Sequence, residues 1–187
     1  MGFTDVLFGR RRLKGAARER LFALATAQVT LNVELGLKPA GVAAVCFKPL
    51  SAGEFVRAEN ELQELLDATA AQSHSKVERK SDDLGYEWLI VRDSSFEDLV
   101  ATVHMIGSEL EDRGFGPQLL ASIFKFTGAK TVYFIYGYKT GTFWPFVPEG
   151  EKERDNAEEL ELKAKLEKEL PIEPDLTKWL ALYGAPL

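Results

Sequence analysis

Two apolar runs, Leu119 to Phe126 and Thr131 to Lys139, meet across the short turn Thr127-Gly-Ala-Lys130. Neither alternates polar with apolar residues. Both are apolar on both faces, which marks central strands of a sheet covered on each side. A hairpin of this kind needs cover, and the chain before it carries the signals for it. Ser94-Ser-Phe-Glu97 is a capping box, in which the serine oxygen takes an orphan N–H and the glutamate reaches back. It opens a helix whose Phe96, Leu99, Val100, Val103, Ile106, Gly107 and Leu110 fall in one stripe, and Gly114 stands where a left-handed C-cap belongs.

Further upstream, Gly41 to Lys48 is short, apolar and closed by Pro49, the pattern of a strand. Ser51-Ala-Gly-Glu54 repeats the capping box and predicts a helix with Phe55, Ala58, Leu62, Leu65 and Leu66 on one face. A polar stretch from Thr69 to Lys80 reads as a loop with a short edge strand around Val77; Asp83-Leu-Gly85 then turns the chain into a return strand, Tyr86 to Arg92. The fold class is α+β: a mainly antiparallel sheet with amphipathic helices packed on it, secretion-chaperone-like only by loose analogy. Three regions follow: a basic amphipathic arm at 1–17, one α+β core at 18–148, and an acidic helix and tail at 149–187 packing back on that core.

Composition narrows the function. With 187 residues, 45% hydrophobic, the chain suits one compact domain. A net charge of -6 and a pI near 5.1 argue against a general nucleic-acid binder. The single cysteine, Cys46, excludes an internal disulfide and a cysteine-based metal cage. No apolar run reaches the roughly 18 residues of a membrane span, and no secretory signal is visible. The expectation is a soluble cytoplasmic domain.

Chemistry is sparse. His74 lies in the polar loop and His104 on a helix edge, neither with a second ligand at metal spacing, so no metal or cofactor is expected. Cys46 sits within an apolar strand as a small hydrophobe. Ser73-His-Ser-Lys76, Ser81-Asp-Asp83 and Lys139-Thr-Gly141 match the motifs of penicillin-recognising serine enzymes in order, but the serine lies in a polar loop and the second motif follows too closely. Tyr138-Lys-Thr-Gly-Thr142 resembles a P-type ATPase loop with tyrosine at the position of the aspartate that accepts phosphate. Walker and Rossmann glycine loops are absent, and no carboxylate pair stands out for acid/base work. The chain reads as a non-enzyme.

Surfaces say more. Phe3, Val6 and Leu7 share one helical face directly before Arg10, Arg11 and Arg12, which suits an anionic membrane surface or packing on the chain's own domain. Phe143-Trp-Pro-Phe-Val-Pro148 reads as an aromatic loop, either a docking site through Phe143, Trp144 and Phe146 or a lid over the sheet edge. The last helix, about Asp155 to Leu170, has one thin stripe of Leu162, Leu166 and Leu170, with Ala157, Leu160 and Ala164 nearly opposite. Such a helix either packs at the domain edge or docks on a partner's helix. Trp179-Leu-Ala-Leu-Tyr183 is expected to fold back onto the core.

Long stretches of the chain resemble one family: the opening Met-Gly-Phe-Thr-Asp5, Val45-Cys-Phe-Lys-Pro49, Tyr86-Glu-Trp-Leu-Ile-Val-Arg-Asp93, Leu110-Glu-Asp-Arg-Gly-Phe-Gly-Pro-Gln118, Gly141-Thr-Phe-Trp-Pro-Phe146, Arg154-Asp-Asn156 and Glu173-Pro-Asp175. The pattern is similar to the PspA-associated protein B family of actinobacteria and some archaea. That resemblance implies a non-enzymatic accessory role in the phage-shock response to envelope stress. The implied partner is PspA, a coiled-coil protein that assembles on stressed membranes, and the implied location is the cytoplasm or the inner face of the cytoplasmic membrane. It implies no catalytic residues. The alternative is a secretion-chaperone-like module that holds protein segments.

Overall fold

The computed structural model describes residues 19–48, 61, 64, 65, 67–69, 72 and 74–187. After a 3-10 turn at Arg20–Phe22, two short helices, α1 (Ala23–Thr26) and α2 (Gln28–Val33), follow one another through Ala27, whose backbone stays in the right-handed helical region. They bury Leu21, Leu24, Ala27 and Leu31, an apolar face at helical spacing. Gly36, at φ 64°, reverses the chain into strand β1 (Lys38–Phe47). The other strands are β2 (Lys76–Ser81), β3 (Glu87–Arg92), β4 (Leu119–Thr127), β5 (Thr131–Gly137) and β6 (Thr142–Phe146). They form one antiparallel sheet in the order β2-β3-β1-β4-β5-β6. Helix α3 (Phe96–Leu110) leads from β3 to β4, and α4 (Asn156–Leu166) follows β6. The fold is α+β, as the alternation of strand and helix signals predicts.

The double-sided hairpin is β4 and β5, with Ile123 opposite Ile135 and Phe124 opposite Phe134. Its two faces enter different cores. One core joins Ala43, Val45, Phe124, Phe126, Phe134 and Tyr136 to the buried sides of α1, α2, α3 and α4. The other gathers Val42, Ala44, Cys46, Trp88, Ile90, Ile123, Ile135, Trp144 and Phe146 around Trp179, with Leu182, Ala185 and Leu187 packed against it. Residues 179–187 therefore fold back, as the sequence suggests, and they cover a sheet face that has no helix among the described residues.

Local details depart from expectation in three places. Strand β1 begins before Gly41, because the backbone bulges there: Pro39 pairs with Phe126 and Ala43 with Phe124. Gly41 adopts φ 69°, and a Cβ on it would lie 2.9 Å from the Asp93 carbonyl, so only glycine fits. The cap of α3 is Ser95, one residue later than expected, accepting from the Asp98 N–H at 3.3 Å. Gly114 does leave the helix, at φ 93°, within a π turn at Glu111–Phe115. Phe143 to Phe146 is a strand rather than a loop. It lies at the sheet edge, where Pro145 interrupts no ladder on its free side. The capping box at Ser51 and most of the helix after it fall outside the described residues, of which Leu65 is buried in the helix-side core.

Candidate interaction surface

Of the twelve residues singled out as contacts, Phe3, Val6, Leu7, Arg10, Arg11 and Arg12 lie outside the described residues. The other six are packed inside the protein. Phe143 is fully buried; its N–H donates to the Pro171 carbonyl and its carbonyl accepts from Glu173 N–H, each at 2.8 Å. Trp144 Nε1 donates to the Leu180 carbonyl at 3.0 Å. Phe146 stacks with Tyr133 at 6.0 Å and meets Tyr183 edge-on at 5.2 Å. Leu162, Leu166 and Leu170 insert into the helix-side core. In this fold all six spend their surface on the chain's own interior, so none of them is offered to a partner. The thin leucine stripe is the inner face of a domain-edge helix, and Leu160 opposite it is 46% exposed.

Buried Glu159 and Glu173 and half-buried Asp93 act as latches. Glu159 accepts from the Val147 N–H at 2.8 Å and pairs with Arg154, whose Nη1 donates to the Trp179 carbonyl at 2.8 Å. One ion pair thus ties α4 to the end of β6 and to the terminal segment. Glu173 accepts from Thr142 Oγ1 at 2.9 Å and from Asp175 N–H at 3.1 Å. Burial raises its pKa, but those donors and Lys178 outweigh burial and hold the carboxyl below its ordinary value. Asp93 accepts from Ser75 Oγ at 2.7 Å and from Ser95 N–H at 2.8 Å, and its pKa is lowered, first by the serine hydroxyl and then by that amide. Ser75 also meets Thr102 at 2.9 Å.

The isolated candidate groups are placed as structure. Burial pushes the Cys46 thiol up to about 12. The His104 ring lies 4.6 Å from that of Phe22. Among the described residues, no cluster of three or more His, Cys, Asp or Glu side chains could hold a metal, and no helix is long and apolar enough to cross a membrane.

Beside single exposed apolar residues such as Leu84 and Leu180, a group of them lies on the α1–α2 run. Phe22, Val29 and Val33 are 39%, 71% and 75% exposed, on the side away from buried Leu24, Ala27 and Leu31. With exposed Thr26 they are spaced four, three and four residues apart. That is the spacing of an a/d seam, the stripe one helix presents to another in a coiled coil. The sequence holds the signal: Leu21, Leu24, Ala27 and Leu31 already account for a core-facing stripe, which leaves Phe22, Val29 and Val33 as a second one.

The sequence model of the family described as PspA associated protein B matches residues 1–187. No curated protein and no solved structure matches.

Proposed function

This chain belongs to the PspA associated protein B family, and from that premise we propose that it is a non-enzymatic accessory protein of the phage-shock response that binds a PspA-like coiled-coil protein. The observation that carries the reading is the exposed Phe22, Thr26, Val29, Val33 seam. Two valines more than two-thirds exposed on one helix face stabilise nothing inside the chain, but they bury apolar area against a partner helix. A heptad-spaced seam fits a coiled coil better than a globular surface, because knobs at a and d need holes at the same period. The non-enzymatic part rests on the carboxylates: Glu159, Glu173 and Asp93 are engaged by donors of their own fold instead of facing an open cleft. The protein works in the cytoplasm at the membrane's inner face, where Phe3, Val6, Leu7, Arg10, Arg11 and Arg12 contact anionic lipid.

Calorimetric titration of the full chain with a purified PspA-like protein tests the first claim. Saturable binding is expected, and Val29→Lys with Val33→Lys should weaken it by roughly tenfold or more, since two interfacial apolar contacts are replaced by charges. Binding unchanged in that variant would sink the seam, and no binding by the wild type would sink the function. Sedimentation with anionic vesicles tests the second claim: serine at positions 3, 6 and 7 should abolish it.

A further inference from the structure

We propose that the outer edge of β2 pairs with the same edge of a second copy of this chain, antiparallel about a two-fold axis at Arg79, so that two sheets become one. The interface goes beyond the coiled-coil reading and shares no residue with the seam on the α1–α2 run.

The sheet treats its two edges differently. The β6 edge is closed. Phe143 N–H donates to the Pro171 carbonyl and Glu173 N–H to the Phe143 carbonyl, each at 2.8 Å, and Pro145 has no N–H to offer. At the other end β2 pairs with β3 on its inner side, and among the described residues no strand lies beyond it. The ladder fixes the direction of the β2 backbone groups. Asp82 N–H donates to the Tyr86 carbonyl at 3.0 Å, in register with Ser81 opposite Glu87. Hydrogen-bonded and non-bonded pairs alternate in an antiparallel ladder, so Lys76, Glu78 and Lys80 turn their N–H and C=O towards β3. Val77, Arg79 and Ser81 turn theirs outwards. The far side of β3 obeys the same alternation, with Asp93 N–H donating to the Gly41 carbonyl at 3.1 Å.

Charged side chains on an edge strand ordinarily repel a second strand. Here they select one. Directly opposed residues of a continuous sheet share a face. Val77 packs against the helix-side core, so Lys76, Glu78 and Lys80 lie on the other face, and all three are exposed. Only an axis at Glu78 or at Arg79 overlaps most of the strand. An axis at Glu78 sets Glu78 against itself and Lys76 against Lys80, which is repulsive throughout. An axis at Arg79 sets each Glu78 against Lys80 of the other copy and brings the outward groups of Val77 opposite those of Ser81. The two Arg79 side chains then face each other, but each arrives with its own counter-charge, because Nε lies 2.8 Å from buried Glu87. Glu78 already draws Lys80 to 3.5 Å within one chain, so the signs alternate around the ring that two copies form. Two short strands make a small interface, and the dimer is therefore reversible.

Sedimentation equilibrium of the full chain over about 5–500 µM tests this, since small interfaces dissociate in that range. The wild type should pass from monomer to dimer. Glu78→Lys alone and Lys80→Glu alone change exposed side chains and make both cross-axis pairs repulsive, so each should weaken self-association at least about tenfold. An equimolar mixture of these two variants restores opposite charges across the axis and should dimerise as the wild type does. Val77→Pro removes an outward N–H and none from the β2–β3 ladder, and it should abolish the dimer. Val29→Lys with Val33→Lys should leave the dimer unchanged. If Val77→Pro fails to fold, the charge variants decide alone. A wild type that stays monomeric throughout, single charge variants that dimerise as before, a mixture that does not, a folded Val77→Pro chain that still pairs, or a dimer lost with the seam would each overturn the proposal.

Discussion

Arg154 and Glu159 meet with Nη2 2.7 Å from Oε2, and the Glu159 side chain is only 2% exposed. The pair lies at the start of α4, where Glu159 also takes the Val147 N–H and Arg154 also donates to the Trp179 carbonyl and covers the Phe146 ring at 5.4 Å. A buried ion pair is weak evidence of net stabilisation, but breaking it strands a charge.

Glu159→Ala should therefore cost about 3 kcal/mol in urea unfolding, with Glu159→Gln costing less because the amide oxygen still accepts from Val147. A loss under about 1 kcal/mol would show that water replaces the carboxylate, and that the latch is not what holds α4 on the sheet.

Gly107→Ala inverts the usual helix rule. Alanine in mid-helix is ordinarily more favourable than glycine by about 1 kcal/mol. Here the added Cβ would collide with the Tyr138 hydroxyl, which Ser122 fixes at 2.7 Å on the other side. The variant should lose about 1–2 kcal/mol, and Tyr138→Phe in the same background should recover part of it. A gain in melting temperature on Gly107→Ala would refute the contact.

Acid should destabilise the protein in part through Asp93 and Glu173. Both Asp93 and Glu173 have pKa values lowered in the fold. A depressed carboxyl contributes stability that is fully present above its unfolded value, near pH 4, and is lost as pH falls below that through the lower folded value. Denaturation midpoints measured from pH 6 down to pH 2 should drop over this window, and the drop should be shallower in Glu173→Gln and in Asp93→Asn. A wild-type midpoint that is flat there would contradict the assignment.

Cys46 should be inert in the native protein. Its burial and its raised pKa leave almost no thiolate at pH 8. Reaction with a chromogenic disulfide should follow the unfolding rate and become immediate in denaturant. Fast native reaction would place the thiol at the surface.

How far the sequence could be read depended on whether a signal was local. The β4–β5 hairpin was legible because its turn and both its strands sit within twenty-one consecutive residues. Helix α3 was legible for a similar reason, although the cap proved to be Ser95 and not Ser94. The Phe143-Trp-Pro-Phe segment was misread as a loop because proline argues against a strand unless the strand lies at an edge, and edge position is a property of the whole sheet. The leucines of α4 were read as a stripe, which they are. Their period could not say whether the surface they meet belongs to this chain or to another.

What the sequence by itself determined, then, is which segments form helices and strands and that the sheet is covered on both faces, because periodicity and capping act over a few neighbouring residues. Tertiary structure alone decided that Arg154 pairs with Glu159 across to Trp179, that residues 179–187 cover the helix-free face, and that Phe22, Val29 and Val33 remain exposed while Leu162, Leu166 and Leu170 do not. An apolar side chain carries the same transfer free energy wherever it lies, and only the packing of the complete chain selects which of them leave water.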